Sequence, residues 1–337
     1  MSSVDVIVPC YRYGAYLAQC VESVLLQAGC DVRVLILDDA SPDDTAEVAG
    51  ALARRDPRVR VVRHATNRGH IATYNEGIEW ACADYLQLLS ADDYLLPGAL
   101  ARAAGLLDRH REVGFAFGRV LELTEPDATR IISTPAHGPN DAGDRVVPSR
   151  RFRALCSAQN IVPTPSAVVR TALQKRVGGY RADLPHAGDM EMWLRLAANA
   201  PVGVIGACQA VYRRHSNNMS RQYMVQYRIC DLEQRNRAFE AFCETCGHLV
   251  PDLPALRRQT LRNLAMEAIR LANRAFNENR VVESNQLAAI ACALDPASRR
   301  SLHWAWLAWK RWLGTRVWQS MRPSAALGHA SADPRER

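Results

Sequence analysis

Residues 85–98 read YLQLLSADDYLLPG. An apolar run at 85–89 stops at two adjacent aspartates, Asp92 and Asp93, before apolar residues resume. A buried strand that ends on two like charges is costly unless something positive meets them. Upstream, the layout recurs. Apolar runs at 6–8, 32–37 and 59–62 lead to Pro9-Cys10-Tyr11, to Asp38-Asp39 and to Asn67-Arg68-Gly69. Helical spacing fills the gaps, with Leu17, Val21, Val24 and Leu25 on one stripe at 15–27 and a further helix at 71–81. Ser41-Pro42-Asp43-Asp44-Thr45 reads as a helix start, and Pro97 as the first turn of a helix reaching about residue 107. Strands alternating with helices predict an α/β fold: a doubly wound, mainly parallel sheet with helices on both faces. Ligands bind such sheets off the carboxyl ends of the strands. Four successive ends carry polar or aromatic groups, so that rim is the expected site.

Residues 115–147 read as short strands and loops, a flap in outline. A strand returns at 163–170, a helix at 189–197 opens on Asp189, and a strand at 202–212 leads into Arg213-Arg214-His215. Beyond about 221 the pattern is wholly helical, with a hairpin at 265–296 that turns at 277–280. The chain has 337 residues, 48% of them hydrophobic and 23% charged, which excludes a disordered protein. No window of 18 apolar residues occurs, which argues against a spanning helix, and the start lacks a signal-peptide layout. Ten scattered cysteines suggest free thiols in a reducing cytosol. Cys243 and Cys246 with His248 nearby lack a second pair and read as thiols on a helix. The net charge of +7 rests almost wholly on arginine, since Lys175 and Lys310 are the only lysines, and no nucleic-acid partner is expected. There is no G-x-G-x-x-G after the first strand and no phosphate-loop motif, which removes the dinucleotide and P-loop readings.

The ordered set Val8-Pro9-Cys10-Tyr11, Leu37-Asp38-Asp39-Ala40-Ser41, Asn67-Arg68-Gly69, Ser90-Ala91-Asp92-Asp93, the run from Gly188 to Arg195, and Tyr212-Arg213-Arg214-His215 resembles the family 2 glycosyltransferases of GT-A fold. The similarity covers roughly residues 3–220. It implies a nucleotide-diphosphate sugar donor, with a UDP-sugar expected. Pro9 and Tyr11 would sit against the base, Asp39 would accept its hydrogen bonds, and Arg68 would help hold the nucleotide. Asp92 would bind ribose or sugar hydroxyls. Asp93, closed from the other side by His215, would ligate a divalent cation, Mg or Mn. Asp189 would be the general base toward the acceptor hydroxyl, with Glu191 in reserve. Two departures stand out: Ser90 where the family often has a first aspartate, and Gly188 before Asp189 where it often has an acid. They keep open a non-catalytic protein that binds a nucleotide sugar or acts as a scaffold. The Q-x-x-R-W signature of processive synthases is absent, so one sugar per encounter is expected.

The chemistry suits these residue types. A hard cation on oxygen ligands offsets a diphosphate leaving group, and a carboxylate must take the proton of a weakly nucleophilic hydroxyl. One cation site opposite one base describes inversion. The acceptor expected from the resemblance is a cell-envelope glycan or its lipid-linked precursor. Three segments follow: a catalytic domain at 1–220, a helical region at 221–322 and a disordered tail at 323–337. Five of the seven tryptophans lie in the stretch 304–318, with no acidic residue between Asp295 and Asp333. Trp306, Trp309, Trp312, Leu302, Leu313 and Val317 share one arc of a helix over 302–317. That arc reads as an element for an anionic membrane surface, which puts the protein in the cytoplasm, peripheral on the inner face of the membrane. Packing on the catalytic domain is the alternative.

Overall fold

The computed structural model describes residues 1–124, 128–137, 143–215, 218 and 228–321. They form two compact units, Met1–Thr260 and Leu261–Arg337. The expected boundary at 220/221 and the tail at 323–337 lie outside the described residues. The remainder of the expected catalytic segment falls inside the first unit.

The first unit opens as β1 (Ser3–Cys10), α1 (Gly14–Leu25), β2 (Asp31–Asp38), α2 (Thr45–Arg55), β3 (Val59–Arg63), α3 (His70–Trp80) and β4 (Tyr85–Leu88). β1 lies between β2 and β4, with β3 outside β2, and all four run parallel. Alternate residues of these strands feed two cores, one on each face. Ile7, Leu35 and Leu37 pack with Ile71 and Ile78 of α3. Val6, Val8 and Ile36 pack with Leu17 of α1 and Leu52 of α2. Strands buried on both faces are near-continuously apolar, which is why these runs were readable. Pro9 fits a central strand because pairing with β4 ends at Ile7–Leu88, and Ile7 C=O accepts from Leu89 N–H at 2.9 Å. Two residues further on, nothing on that side asks Pro9 for the N–H it lacks.

The chain continues through β5 (Tyr94–Leu95), α4 (Ala99–Arg109), β6 (Phe115–Thr124), β7 (Ala128–Ile132), β8 (Arg145–Val147), α5 (Ser149–Cys156), β9 (Val168–Arg170), α6 (Thr171–Val177), α7 (Gly188–Asn199) and β10 (Val202–Arg214). The sheet order is β3-β2-β1-β4-β9-β6-β10-β5, with β7 on β6 and β8 on β10. The expected α/β sheet is present, with its parallel run at β3-β2-β1-β4. β9 runs antiparallel to both β4 and β6, and the pairings of β5, β7 and β8 are antiparallel as well, so the ten-stranded sheet is mixed. It corrects the reading of 115–147. β6 lies deep in the sheet, where Phe115 stacks on Trp193 of α7 at 5.3 Å and meets Phe152 of α5 edge-on. Pro97 stands outside α4, whose N-cap is Gly98 in the left-handed region. Helix Arg228–Cys246 belongs to this unit too, since Phe239 and Phe242 join the core of α3, α5 and α7.

In the second unit, helix Val281–Leu294 returns after a turn at Asn279, whose φ is 61°, as the hairpin pattern suggested. The expected single helix over 302–317 is two, Leu302–Leu313 and Thr315–Met321. Gly314 separates them at φ 81°, a conformation that side chains with a Cβ resist. Among the described residues no helix is long and apolar enough to cross a membrane.

α3 approaches β1 closely. A Cβ at Gly77 would fall 2.2 Å from Ile7 Cγ2. Gly77→Ala should therefore lose stability, by about 1–3 kcal/mol of overpacking, although alanine is the better helix former. Urea unfolding followed by circular dichroism reads the change as a lowered midpoint.

Candidate active site

The carboxyl ends of β1, β2 and β4 and the loops after β3 and β10 meet on one rim. Side chains tie the turns together. Asp38 Oδ1 accepts from Ser41 N–H at 2.9 Å, and Ser41 Oγ accepts from Arg12 N–H at 3.0 Å. Arg12 and Ala40 both have positive φ, 64° and 59°. Backbone strain of this kind holds the ends of β1 and β2 in one arrangement. Pro9 is half-buried at the end of β1, and Tyr11 is exposed just beyond it.

Asp39 is buried and already engaged. Oδ1 lies 2.7 Å from His64 Nδ1 and accepts from Arg68 N–H at 2.8 Å, and Oδ2 accepts from Gly69 N–H at 2.9 Å. Burial alone would raise its carboxyl. The Arg68, His64 and Gly69 bonds outweigh that and leave it below the usual range. The chain of contacts goes on, with His64 Nε2 3.0 Å from Glu76 Oε2 and Arg68 Nη1 donating to the same oxygen at 2.6 Å. The Arg68 guanidinium is half exposed and Glu76 holds it at the rim. A carboxylate has about four acceptor directions, so Asp39 keeps one for a ligand N–H. His64 and Glu76 were missed in the sequence. His64 follows β3 directly, and strand-end position was the signal that could have found it.

Asp92 and Asp93 are 4% and 3% exposed. Asp92 Oδ2 lies 3.1 Å from His215 Nε2 and accepts from Asn218 Nδ2–H at 3.0 Å. Asp93 Oδ1 accepts from Arg213 N–H at 2.9 Å, and Arg213 Nε donates to Asp92 C=O at 3.0 Å. The Arg213 guanidinium lies over the Tyr16 ring at 4.8 Å, and the His215 ring stacks on Tyr16 at 5.3 Å. The end of β10 thus supplies, in Arg213, the positive charge that the aspartate pair demanded. Burial, and then the charge of Asp92, push the Asp93 carboxyl well above the ordinary range, with the Arg213 N–H and charge opposing. Arg213, Asn218 and Tyr16 were not singled out in the sequence. Only the crossover that brings β10 beside β5 makes them neighbours of Asp92 and Asp93.

A divalent cation fits this donor set chemically, since Mg²⁺ is commonly held by one or two carboxylates plus substrate phosphates. Its absence of a preformed cage is equally plain. Among the described residues no three His, Cys, Asp or Glu side chains are grouped to hold an ion, and His215 is turned onto Asp92 rather than opposite Asp93. The same finding gives no support to a site at Cys243, Cys246 and His248.

Asp189 stands in the first turn of α7, half-buried. Thr164 Oγ1–H donates to its Oδ2 at 2.9 Å, and the Tyr180 hydroxyl bonds it as well. Burial raises its carboxyl. Those two bonds, with His70 and His186 nearby, restrain the rise without cancelling it. Tyr74 links the two halves of the site. Its hydroxyl is pushed up by burial, then by Asp189, and further by Asp92, Tyr13 and Asp93. Glu191, the reserve, is placed otherwise. It is fully buried, and its two oxygens take Arg195 Nε–H and Nη2–H at 3.0 and 2.7 Å, while Arg195 also donates to Val177 and Gly179 C=O. Such a pair locks α7 to the loop before it, in a place closed to solvent.

The Asp93 shift has a sign that can be checked. With its folded carboxyl above the unfolded value, the native chain binds more protons between the two, so stability falls as pH rises through that window. At neutral pH the charge is a standing cost. Asp93→Asn should raise the melting temperature in EDTA by a few °C, and the gain should vanish in acid, where the wild-type carboxyl is protonated. A thermal-shift series from neutral to acid pH reads both.

Residues 5–166 match the family described as glycosyl transferase family 2. A protein of Mycobacterium tuberculosis is 29% identical over 225 residues, 63% of this chain and 67% of that protein. EpsJ of Bacillus subtilis, a glycosyltransferase by name, is 35% identical over 92 residues, 27% of this chain and 26% of its own length. The chain thus spans two thirds of the first relative and about a quarter of the second. Among solved structures, Staphylococcus aureus TarS 1–349 in complex with UDP superposes with a TM-score of 0.64 at 16% identity, over 94% of this chain and 89% of that one. The mannosyltransferase PcManGT of Pyrobaculum calidifontis, in complex with GDP-Man and Mn²⁺, gives 0.55 at 17% identity, over 94% and 83%. Residues 5–166 thus match glycosyl transferase family 2, and the fold is of the GT-A type.

Proposed function

We propose that this protein transfers a hexose from a nucleotide-diphosphate sugar to an acceptor hydroxyl with inversion, one sugar per encounter. The acceptor is a cell-envelope glycan or its lipid-linked precursor, and the reaction takes place in the cytoplasm. The observation that carries the reading is the pairing of the buried Asp92–Asp93 end of β4 with a second carboxyl, Asp189, across Tyr74. The residues divide the work. Tyr11, exposed beside Pro9, offers its ring to the base, and Asp39 offers a remaining acceptor direction to a base N–H. Arg68, fixed by Glu76, faces the nucleotide. Asp92, oriented by His215 and Asn218, takes ribose or sugar hydroxyls. Asp93 holds Mg²⁺ or Mn²⁺ on the diphosphate, and His215 closes that side. When bound, the cation offsets the charge that builds on the leaving diphosphate. Asp189, whose carboxyl is raised toward the range useful for proton transfer, takes the acceptor proton. The UDP held by TarS and the GDP-Man and Mn²⁺ held by PcManGT support a nucleotide-sugar donor and a cation, with a UDP-sugar the first to try.

The test is hydrolysis of a panel of UDP- and GDP-sugars, water standing in for the acceptor, with Mn²⁺ and with EDTA. Metal-dependent release of the nucleoside diphosphate is the expected result. Nucleotide-sugar binding without turnover, in either condition, would turn the reading toward a non-catalytic binding or scaffold protein, to which Ser90 and Gly188 point. Asp189→Asn should keep donor affinity by calorimetry and lose about 10²–10⁴-fold in rate. Asp93→Ala should lose the Mn²⁺-dependent part of nucleotide affinity. A second rate loss is not expected at Glu191→Gln beyond what its lowered stability explains.

A further inference from the structure

Helices Leu302–Leu313 and Thr315–Met321 carry a surface that sugar transfer does not use. The first helix is turned against the usual sense. Lys310 points inward and is 1% exposed, with Nζ donating to Asn273 Oδ1 at 2.8 Å and to Asn277 Oδ1 at 3.0 Å. The rings of Trp306 and Trp318 lie over its ammonium at 5.6 and 5.1 Å. Trp318 Nε1–H donates to the same Asn277 oxygen at 3.0 Å, so one asparagine pins both helices. Leu307 is buried as well, but most of the large apolar residues face out: Leu302, Trp306, Trp309, Trp312, Val317 and Met321 are all exposed, Trp312 at 81%. Trp306 and Trp309 stack at 4.9 Å, and Trp318 meets both edge-on at 5.8 Å. A helix that buries its lysine and exposes its tryptophans has a contact to make beyond its own unit.

Charge selects the occupant. Arg299, Arg300, His303 and Arg316 are exposed around these helices, and the sequence has no acidic residue between Asp295 and Asp333. Pairing of two copies through this face would set one basic patch against another. A bilayer with anionic headgroups meets the patch with opposite charge, and indole suits its interface because the ring is apolar while the N–H stays hydrated. We propose that this surface docks on an anionic phospholipid bilayer, with Trp306, Trp309 and Trp312 at headgroup depth and the arginines against lipid phosphates. The proposal is independent of the transfer chemistry, since a chain with no activity binds all the same.

The experiment is flotation of the full chain with vesicles of phosphatidylcholine alone and of phosphatidylcholine with phosphatidylglycerol, at low and high salt. Binding to the anionic vesicles at low salt is expected, with at least a tenfold loss at high salt, where charge is screened. Arg300→Gln and Arg316→Gln should each weaken binding about fivefold at low salt. Trp312→Ser, so exposed that folding does not depend on it, should weaken binding at both salts, and unfolding curves confirm that the variant is folded. Failure of the wild type to float with anionic vesicles overturns the proposal, as does flotation unchanged in Trp312→Ser. A dimer by light scattering that Trp312→Ser dissociates, without vesicle binding, assigns the face to a second copy and overturns it equally.

Discussion

Two adjacent carboxylates sit almost out of water at the end of β4, and the site is organised around that fact. Their mutual repulsion in a poorly hydrated place is a cost that the fold must offset. It does so from the far end of the chain's long last strand. Arg213 gives its N–H to Asp93 and its side chain to the backbone of Asp92, and His215 and Asn218 close on Asp92. β10 can reach there because it runs parallel to β6 and antiparallel to β5, the two-residue strand that follows the aspartates. The offset is incomplete, which is why Asp93 stays poised to take up a proton or a cation.

The first half of the fold was legible for a simple reason. β1, β2 and β4 are buried on both faces, so their residues form apolar runs that polar turns interrupt, and parallel strands keep the helices between them in step. The stretch 115–147 was not, although the helix at 189–197 and the strand at 202–212 were. β6 carries Gly118, Arg119 and Glu122, and Arg119 and Glu122 have partners that sequence cannot supply: Arg119 donates to Gly206 C=O, and Glu122 pairs with Arg130 and Arg214. Polar residues satisfied by distant strands look like loop to a local reading.

The candidate site divides in the same way. Asp39, Arg68, Asp92 and Asp93 announced themselves by standing at strand ends. Asp189 was identifiable from its motif; that Glu191 would be buried against its i+4 partner, Arg195, was not. His64 and Glu76 belong to none of the motifs, and Arg213, though inside the run Tyr212–His215, had no role assigned there; they matter through contacts between distant segments, such as the 121 residues that separate Arg213 from Asp92. The tail erred differently. The wheel grouped the tryptophans correctly, yet hydrophobicity alone could not say that Lys310, one turn on from Trp306, would be turned inward, nor that Gly314 would break the helix.

The chain Asp39–His64–Glu76–Arg68 has a consequence for how a ligand is received. These contacts are complete with nothing bound: a carboxylate accepts two backbone N–H groups of the 67–69 loop while a histidine bridges it to the glutamate that steadies the arginine. The conformational entropy of ordering that loop has therefore been spent during folding rather than left for the encounter. A ligand arriving at this wall meets a preorganised surface, and a larger share of its contact energy remains as affinity.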